Sequence, residues 1–302
     1  MEKEFYSNGK LLLSGEYVVL DGALSLAIPT KFGQSLKATI TNTGFLEWES
    51  FDETNAAWFN GSFDIKNLKV IDTTDINVAE TLQGLLTEAK SQNSQFLENS
   101  LGLKVETKLT FPQIWGLGTS STLINNIAQW AEVDAYRLLW NAFGGSGYDI
   151  ACAQHDRAIL YQKQNNVPKV EEVTFHPPFA DSIYFVHLNQ KQSSKEAIAT
   201  YRKQQFNSHE LITEVSNITK KLVNTATLPE FESLILLHED ILSKVLGLET
   251  VKSKFFPDFE GAMKSLGAWG GDFIMVTGDA DVPSYFRTKG FETVVPFIDM
   301  VL

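Results

Sequence analysis

The sequence is poor in the residues that bind transition metals. It has a single cysteine, Cys152, in 302 residues. One cysteine excludes an intramolecular disulfide and a cysteine-based zinc site. It lies in the apolar stretch IACAQ, which favours a buried structural thiol over a reactive one. The five histidines show neither HxxH nor HExxH spacing, so we assign none of them to a metal.

Long apolar segments are also missing. No run approaches the roughly 18 apolar residues that predict a membrane-spanning helix. The first ten residues, MEKEFYSNGK, lack the basic start and the apolar core of a signal peptide. We therefore expect a cytoplasmic protein with no membrane contact.

Basic residues are few relative to acidic ones. The chain has 25 Lys and Arg against 37 Asp and Glu, a formal net charge of −12. This balance argues against nucleic-acid binding, which needs clustered cations. A nucleotide remains a suitable ligand if backbone N–H groups and a few placed cations bind its phosphates. Apolar residues make up 43% and charged residues 21%, which is typical of a folded globular chain.

The first half of the chain reads as strands and helices in alternation. Residues 11–20 (LLLSGEYVVL) predict a strand, and residues 78–90 have helical apolar spacing. Residues 104–111 alternate with a period of two and predict a strand. A glycine-rich turn and a further helical pattern follow that strand.

The second half contains more helical patterns. Residues 180–190 predict a strand, and 193–203, 210–226 and 231–246 predict helices. The C-terminal stretch reads as strand, helix, strand. A polar segment and the HPP sequence within 163–180 suggest a division into domains 1–170 and 171–302.

The glycine-rich turn GLGTSST spans residues 116–122, between the predicted strand and helix. Its glycines permit backbone conformations and close approaches that a Cβ would block. The N–H groups of the first helical turn attract an anion, and the helix dipole favours negative charge there. The alternative is an ordinary helix start with a Thr or Ser cap. The segment does not match GxxxxGK[ST].

Four segments together resemble the GHMP kinase superfamily, which includes galactokinase, homoserine kinase, mevalonate kinase and phosphomevalonate kinase. GKLLLSGEYVVLDG (9–22) resembles the first family motif, GLGTSST the second and KSLGAWGGDFIMVT (264–277) the third. GSGYDIACAQ (145–154) resembles the segment with the catalytic aspartate, in the GYDIA form of a bacterial subgroup. The resemblance implies an α+β fold with a ribosomal-protein-S5-like N-terminal part and a ferredoxin-like C-terminal part.

The resemblance also implies residue roles. Asp149 would be the catalytic residue, assisted by Lys10, which matches the family lysine close to the catalytic aspartate. Ser120 matches the serine that helps to bind Mg²⁺. The ATP-binding residues would be Gly116, Leu117, Gly118, Thr119, Ser120 and Ser121. The substrate-binding residues would be Glu16, Tyr17, Ser146, Gly267 and Ala268. Each of these residues also has a purely structural alternative. Asp149 could form a turn or helix cap, Lys10 could be a solvated strand-edge lysine, and Glu16 and Tyr17 could simply pack in a strand.

Three places depart from the family pattern or leave the site open. Only 29 positions separate Ser120 from Asp149 (149 − 120), and the expected position of a Mg²⁺-binding glutamate falls near the apolar Leu138. Glu132 or Asp134 would have to replace it. Trp269 stands where a small residue is usual, although Gly270 and Gly271 beside it suit a loop that closes over phosphate. Ser193, Ser194 and Lys195 are further candidates for an anionic substrate, or simply a helix start.

These features predict an ATP- and Mg²⁺-dependent kinase of a small acid, with phosphomevalonate slightly ahead of mevalonate as the acceptor. A lyase resembling diphosphomevalonate decarboxylase is one alternative. A non-catalytic nucleotide or metabolite binder is the other. The assembly state is open, a homodimer included.

Overall fold

The computed structural model describes residues 2–98, 100–165, 167–190, 194–269 and 271–302. The chain divides into two units, each assembled from several segments. Unit 1 consists of Met1–Gly9, Phe32–Gln113 and Leu117–Gln154, and unit 2 of Lys10–Lys31, Ile114–Gly116 and His155–Leu302. The predicted domain division at residue 170 stays a prediction.

Unit 1 contains a mixed sheet. It is formed by β3 (Phe45–Phe51), β4 (Ala57–Asp64), β5 (Val70–Thr73), β6 (Leu103–Leu109) and the unit 1 parts of β1 (Glu2–Ser14) and β2 (Ser25–Ile40). The order is β5-β4-β3-β6-β2, in which β3 and β6 are parallel and the other neighbours are antiparallel. β6 buries every second side chain, as its period-two pattern predicts.

Four helices of unit 1 pack with one another beside this sheet. They are α1 (Ile76–Gln92), α2 (Thr119–Ala131), α3 (Ala135–Ala142) and α4 (Tyr148–Gln154). Their apolar faces and the sheet form one core cluster that includes Trp48, Phe63, Leu86 and Ile124. The core holds α2 and α4, the two helices with the candidate nucleotide-binding and catalytic residues, against each other.

Unit 2 contains a four-stranded antiparallel sheet. Its strands are β9 (Ile183–His187), β10 (Met263–Ser265), β11 (Phe273–Thr277) and β12 (Val294–Pro296), in the order β10-β11-β9-β12. The helices of this unit are α5 (Ser194–Arg202), α6 (Ser208–Val223), α7 (Leu228–Leu246), α8 (Val251–Phe255), α9 (Val282–Thr288) and α10 (Phe297–Met300). This antiparallel order, with helices in both crossovers, is the ferredoxin-like arrangement, so the predicted α+β fold class is confirmed.

One local prediction was wrong. The strand predicted over 11–20 ends at Ser14, because Gly15 and Tyr17 have φ of +93° and +63° and turn the chain into a 3₁₀ helix at Val18–Asp21. The polar segment after residue 163 is largely a hairpin of β7 (Ile159–Gln164) and β8 (Val167–Glu172). The other predicted elements occur within a few residues of their expected positions. Among the described residues, no helix is long and apolar enough to cross a membrane.

Candidate active site

The glycine-rich turn leads into α2 without a side-chain cap. Gly118, with φ of +99°, occupies the N-cap position and has no side chain with which to cap the helix. The first intrahelical bond runs from the N–H of Thr122 to the carbonyl of Gly118. The first-turn N–H groups of a helix have no partner within the helix. In unit 1, the start of α2 therefore has the properties of an anion site.

The hydroxyl groups of this turn differ in their availability. Ser121 is buried and donates to the carbonyl of Gly118 over 3.0 Å. Thr122 is also buried and donates to the side-chain oxygen of Gln34 over 2.8 Å. Ser120 is exposed, and its hydroxyl forms no hydrogen bond to any residue that the structure describes. Of these three hydroxyls, that of Ser120 is the one open to a ligand.

Asp149 lies in the first turn of α4 and is half-buried. Its carboxylate accepts the N–H of Ile150 over 3.2 Å. Asn125 of α2 holds the far end of the helix, donating to the carbonyl of Ala153 and accepting from Gln154. The predicted segment therefore forms a short helix packed on α2, and Asp149 lies at its start.

Tyr136 and Cys152 are close enough to Asp149 to share its electrostatic environment. Burial, with added negative charge from Cys152 and Asp149, holds the pKa of Tyr136 above its ordinary value, so this phenol stays protonated. Cys152 is fully buried, which confirms the predicted structural thiol. Ser146, in the loop ahead of α4, is 6% exposed.

In unit 2, Lys10 holds the first residue of the glycine-rich turn. Its ammonium donates to the carbonyl of Gly116 over 2.9 Å. The carboxylate of Asp272 packs against the other side of Gly116, where a Cβ would stand 2.4 Å from its carbon. His187 contacts the preceding segment, with Nε2 located 2.9 Å from the carbonyl oxygen of Ile114. Gly116 is thus fixed by the first motif on one side and the third motif on the other.

Glu16 forms a buried ion pair instead of facing solvent. The residue is 2% exposed, and its carboxylate accepts a hydrogen bond from the ammonium of Lys264, which is fully buried. Burial raises the pKa of Glu16, and Lys264 opposes that rise. Its predicted substrate-binding role stays a prediction, but in this structure the side chain joins the first and third motifs.

Tyr17 makes a second connection between these motifs. Its hydroxyl accepts the backbone N–H of Trp269 over 2.8 Å, and its ring stacks on Tyr201. The indole N–H of Trp269 donates to the carbonyl of Glu249. The indole, which is unusual for the family motif, packs against the apolar cluster between helices of unit 2.

The remaining third-motif residues form a tight turn. Gly267 has φ of +66°, and the carbonyl of Ala268 accepts the N–H of Gly271. Ala268 is 5% exposed. The substrate-binding roles of Gly267 and Ala268 stay predictions. Gly270 lies outside the described residues.

Neither proposed replacement for the missing Mg²⁺ carboxylate is at the glycine-rich end of α2. Glu132 is the C-cap of the 13-residue helix, about 20 Å from its start at 1.5 Å per residue, and it contacts Lys3. Asp134 caps α3 through the N–H groups of Tyr136 and Arg137. These two suggestions were wrong, because Glu132 lies at the far end of α2 and the Asp134 carboxylate caps α3.

No other carboxylate-rich group takes over this role. Among the residues that the structure describes, no group of three His, Cys, Asp or Glu side chains can hold a metal ion by itself. The predicted role of Ser120 as a Mg²⁺ ligand stays a prediction. Ser193 lies outside the described residues, and the anion-binding roles of Ser194 and Lys195 stay predictions.

Sequence reasoning missed Lys264 and Asp272 as supporting residues. In the sequence, Asp272 stands out as the acidic residue that follows two glycines. In the structure, its φ of +50° is unusual for a residue with a side chain. Lys264 begins the third motif, but nothing in the sequence indicated its pairing with Glu16, which lies 248 positions away.

Comparison with known proteins shows the fold. No protein-family model and no curated protein sequence matches the chain. The structure resembles the mevalonate kinase of Methanococcus jannaschii (TM-score 0.70, 15% identity, 97% of this chain and 96% of that chain). It also resembles Streptococcus pneumoniae phosphomevalonate kinase in complex with phosphomevalonate and AMPPNP (TM-score 0.69, 14% identity, 95% of both chains). Lactococcus lactis galactokinase complexed with galactose is similar too (TM-score 0.68, 14% identity, 95% and 88%). The chain therefore has the fold of the GHMP kinases.

Proposed function

We propose that this chain is an ATP-dependent small-molecule kinase that transfers the γ-phosphoryl group to a hydroxyl or phosphate of a small acid. The observation that carries the proposal is the uncapped start of α2, where glycine occupies the N-cap and the Ser120 hydroxyl is exposed. An N-cap side chain would occupy one of the N–H groups that bind phosphate. The fold and the order of the four sequence motifs support the same conclusion.

Asp149 is the proposed catalytic residue. A carboxylate that accepts or holds the acceptor's proton and aligns its oxygen contributes typically about 10²–10⁴-fold to the rate. Lys10 is proposed to favour the ionised form of this carboxylate and to help hold the acceptor oxygen. The Lys10 bond to Gly116 also keeps the cation at the start of the glycine-rich turn.

ATP is proposed to place its phosphates on residues 116–121, and the Ser120 hydroxyl would help to hold the accompanying Mg²⁺. Mg²⁺ retains several waters and needs few protein carboxylates when phosphates bind it. The ion would neutralise charge on the phosphates. The exposed Ser120 hydroxyl meets this modest requirement.

The acceptor is proposed to be phosphomevalonate, with mevalonate second. GEY in the first motif and GGD in the third support this choice by resemblance. The structural neighbours also include kinases of galactose and of a heptose phosphate. The acceptor test therefore has to include sugars.

A coupled assay of ADP release tests the proposal. Purified protein with MgATP is tested against phosphomevalonate, mevalonate, homoserine and common sugars, and products are identified by mass spectrometry. We expect ADP release to need one acceptor and to yield a phosphorylated product. Release of CO₂ would instead support the lyase. Tight ATP binding without turnover on any acceptor would support a non-catalytic binder, which the missing Mg²⁺ carboxylate favours.

A further inference from the structure

Two adjacent polar residues are buried in the middle of α7, outside the proposed catalytic groups. His238 is fully buried, and Glu239 is 2% exposed. Buried polar side chains are costly unless they are hydrogen-bonded. Their partners within unit 2 therefore indicate why this helix has them.

His238 holds the first motif. Its Nε2 accepts the backbone N–H of Gly15 over 2.9 Å, so the proton of the neutral ring is on Nδ1. Burial and the positive charge of Lys264 keep the pKa of His238 well below its ordinary value, which preserves this acceptor. Gly15 is tightly seated, since a Cβ there would stand 2.0 Å from the Ser25 hydroxyl. Gly15 also opens the turn, and its carbonyl accepts the N–H of Val19.

Glu239 holds the third motif. One carboxylate oxygen accepts the N–H of Ser265 over 3.0 Å, and the other accepts its hydroxyl over 2.7 Å. Ser265 is the last residue of β10, and the turn with Gly267 and Ala268 follows it. Glu239 therefore fixes the point at which the third-motif turn leaves the sheet.

The two anchored segments are also joined to each other directly. Glu16 pairs with Lys264, and the hydroxyl of Tyr17 accepts the N–H of Trp269. His238 and Glu239, in one turn of α7, thus hold the same two segments that these direct contacts join. An apolar pair could fill the same space, but it could not accept the N–H of Gly15 or of Ser265.

We propose that His238 and Glu239 are positioning residues, which hold the first-motif turn at Gly15 and the third-motif turn after Ser265 in a fixed relation within unit 2. The consequence for catalysis rests on the proposed kinase function. In such a kinase, we expect the two turns to shape the acceptor site. Loss of either anchor should therefore impair binding or turnover of the acceptor more than binding of ATP.

The test compares variants that keep an acceptor atom with variants that remove it. His238→Gln and Glu239→Gln retain oxygens that can accept the two N–H groups, whereas His238→Leu and Glu239→Leu do not. Phe286→Leu is the control, because Phe286 is a buried core residue of α9 in a separate apolar cluster of unit 2. If a Leu variant does not fold, His238→Asn or Glu239→Asp replaces it, because the shorter side chain falls short of the N–H.

Hydrogen–deuterium exchange of the two turns is the first readout, and it needs no turnover. His238→Leu should speed exchange of residues 15–20 by about tenfold, the size expected for the loss of one buried hydrogen bond. Glu239→Leu should do the same at residues 265–269. Both Gln variants should stay within about twofold of the unmodified protein. Equal exchange in Leu and Gln variants, or equal loosening in Phe286→Leu, would overturn the proposal.

Steady-state kinetics are the second readout. The Leu variants should raise the acceptor KM or lower kcat by about tenfold while the ATP KM changes by less than about twofold, and the Gln variants should restore both. Equal losses for ATP and acceptor would contradict the positioning role. If the unmodified protein turns over no acceptor, the kinase proposal fails, and the exchange data still decide whether the anchors exist.

Discussion

Lys10 donates a hydrogen bond from its ammonium to the carbonyl of Gly116 over 2.9 Å, across 106 positions of sequence. Asp272 packs against the same glycine from the third motif. The first residue of the glycine-rich turn is therefore fixed by two residues of unit 2. The position of Gly116 within unit 2 depends on both residues, and this dependence leads to the first two predictions.

Lys10→Met should lower kcat about 100-fold or more, because it removes a cation assigned to the acceptor oxygen as well as the bond to Gly116. Steady-state ADP release measures the effect. Lys252→Met is the matched control, since Lys252 is also half-buried and donates to a carbonyl, that of Gly261, over 2.7 Å. Equal losses of activity in the two variants would mean that Lys10 acts only on stability.

Gly116→Ala should weaken ATP binding about tenfold or more and lower stability by about 1–3 kcal/mol. The residue has φ of +65°, and its new Cβ would stand 2.4 Å from the Asp272 carboxylate. Gly247→Ala separates the two causes, because Gly247 has φ of +66° with no atom near its Cβ position. Calorimetric ATP titration and urea unfolding should show the stability loss in both variants and the ATP effect only at Gly116.

The sequence was sufficient for local features and for the order of the motifs. The strand–turn–helix around Gly118 follows from periodicity and glycine placement, which are local signals. The helix that begins beside Asp149 was not predicted from periodicity. The buried state of Glu16 was not predictable in this way. It depends on Lys264, whose long-range pairing is set by the fold and leaves no local pattern.

The strand predicted over 11–20 failed for a related reason. Its apolar, β-branched composition favours a strand, but positive φ at Gly15 and Tyr17 redirects the chain. Glycine at position 15 was a possible signal, whereas a tyrosine rarely adopts this conformation. The anchors that support the turn, Trp269 and His238, come from the other end of the sequence.

Ser120→Ala should lower kcat/KM for MgATP by about 10- to 100-fold, the equivalent of a hydrogen bond or ligand contact to a charged group. Its effect on stability should be small, because the hydroxyl is exposed and bonds to no described residue. Ser121→Ala should instead lower stability and leave kcat/KM for MgATP nearly unchanged. Its buried hydroxyl bonds to Gly118, so stability should fall by about 1 kcal/mol with little change in the Mg²⁺ dependence of turnover.

Stability should fall as the pH rises from about 4.5 to 7. Burial raises the pKa of Glu239 from 4.5 to about 7, so in this window the native state keeps a proton that the unfolded chain has released. At about 1.4 kcal/mol per pKa unit, the loss from this group is at most about 3.5 kcal/mol. Burial shifts the pKa of Glu16 in the same direction.

Urea unfolding at pH 5 and pH 7.5 measures this pH dependence. Glu239→Gln should flatten it, because the amide is neutral at both pH values. Some slope should remain from Glu16. If Glu239→Gln kept the full pH dependence of stability, the proton retained in the native state would belong to another group.

The most direct test of the proposed mechanism is Asp149→Asn, assayed for turnover and for binding of a non-hydrolysable ATP analogue. We expect analogue binding within about threefold of the unmodified protein and turnover reduced at least about 100-fold. Asp134→Asn in the same unit should leave turnover unchanged, because asparagine also caps a helix. Full turnover in Asp149→Asn would contradict the assignment of this carboxylate and the mechanism built on it.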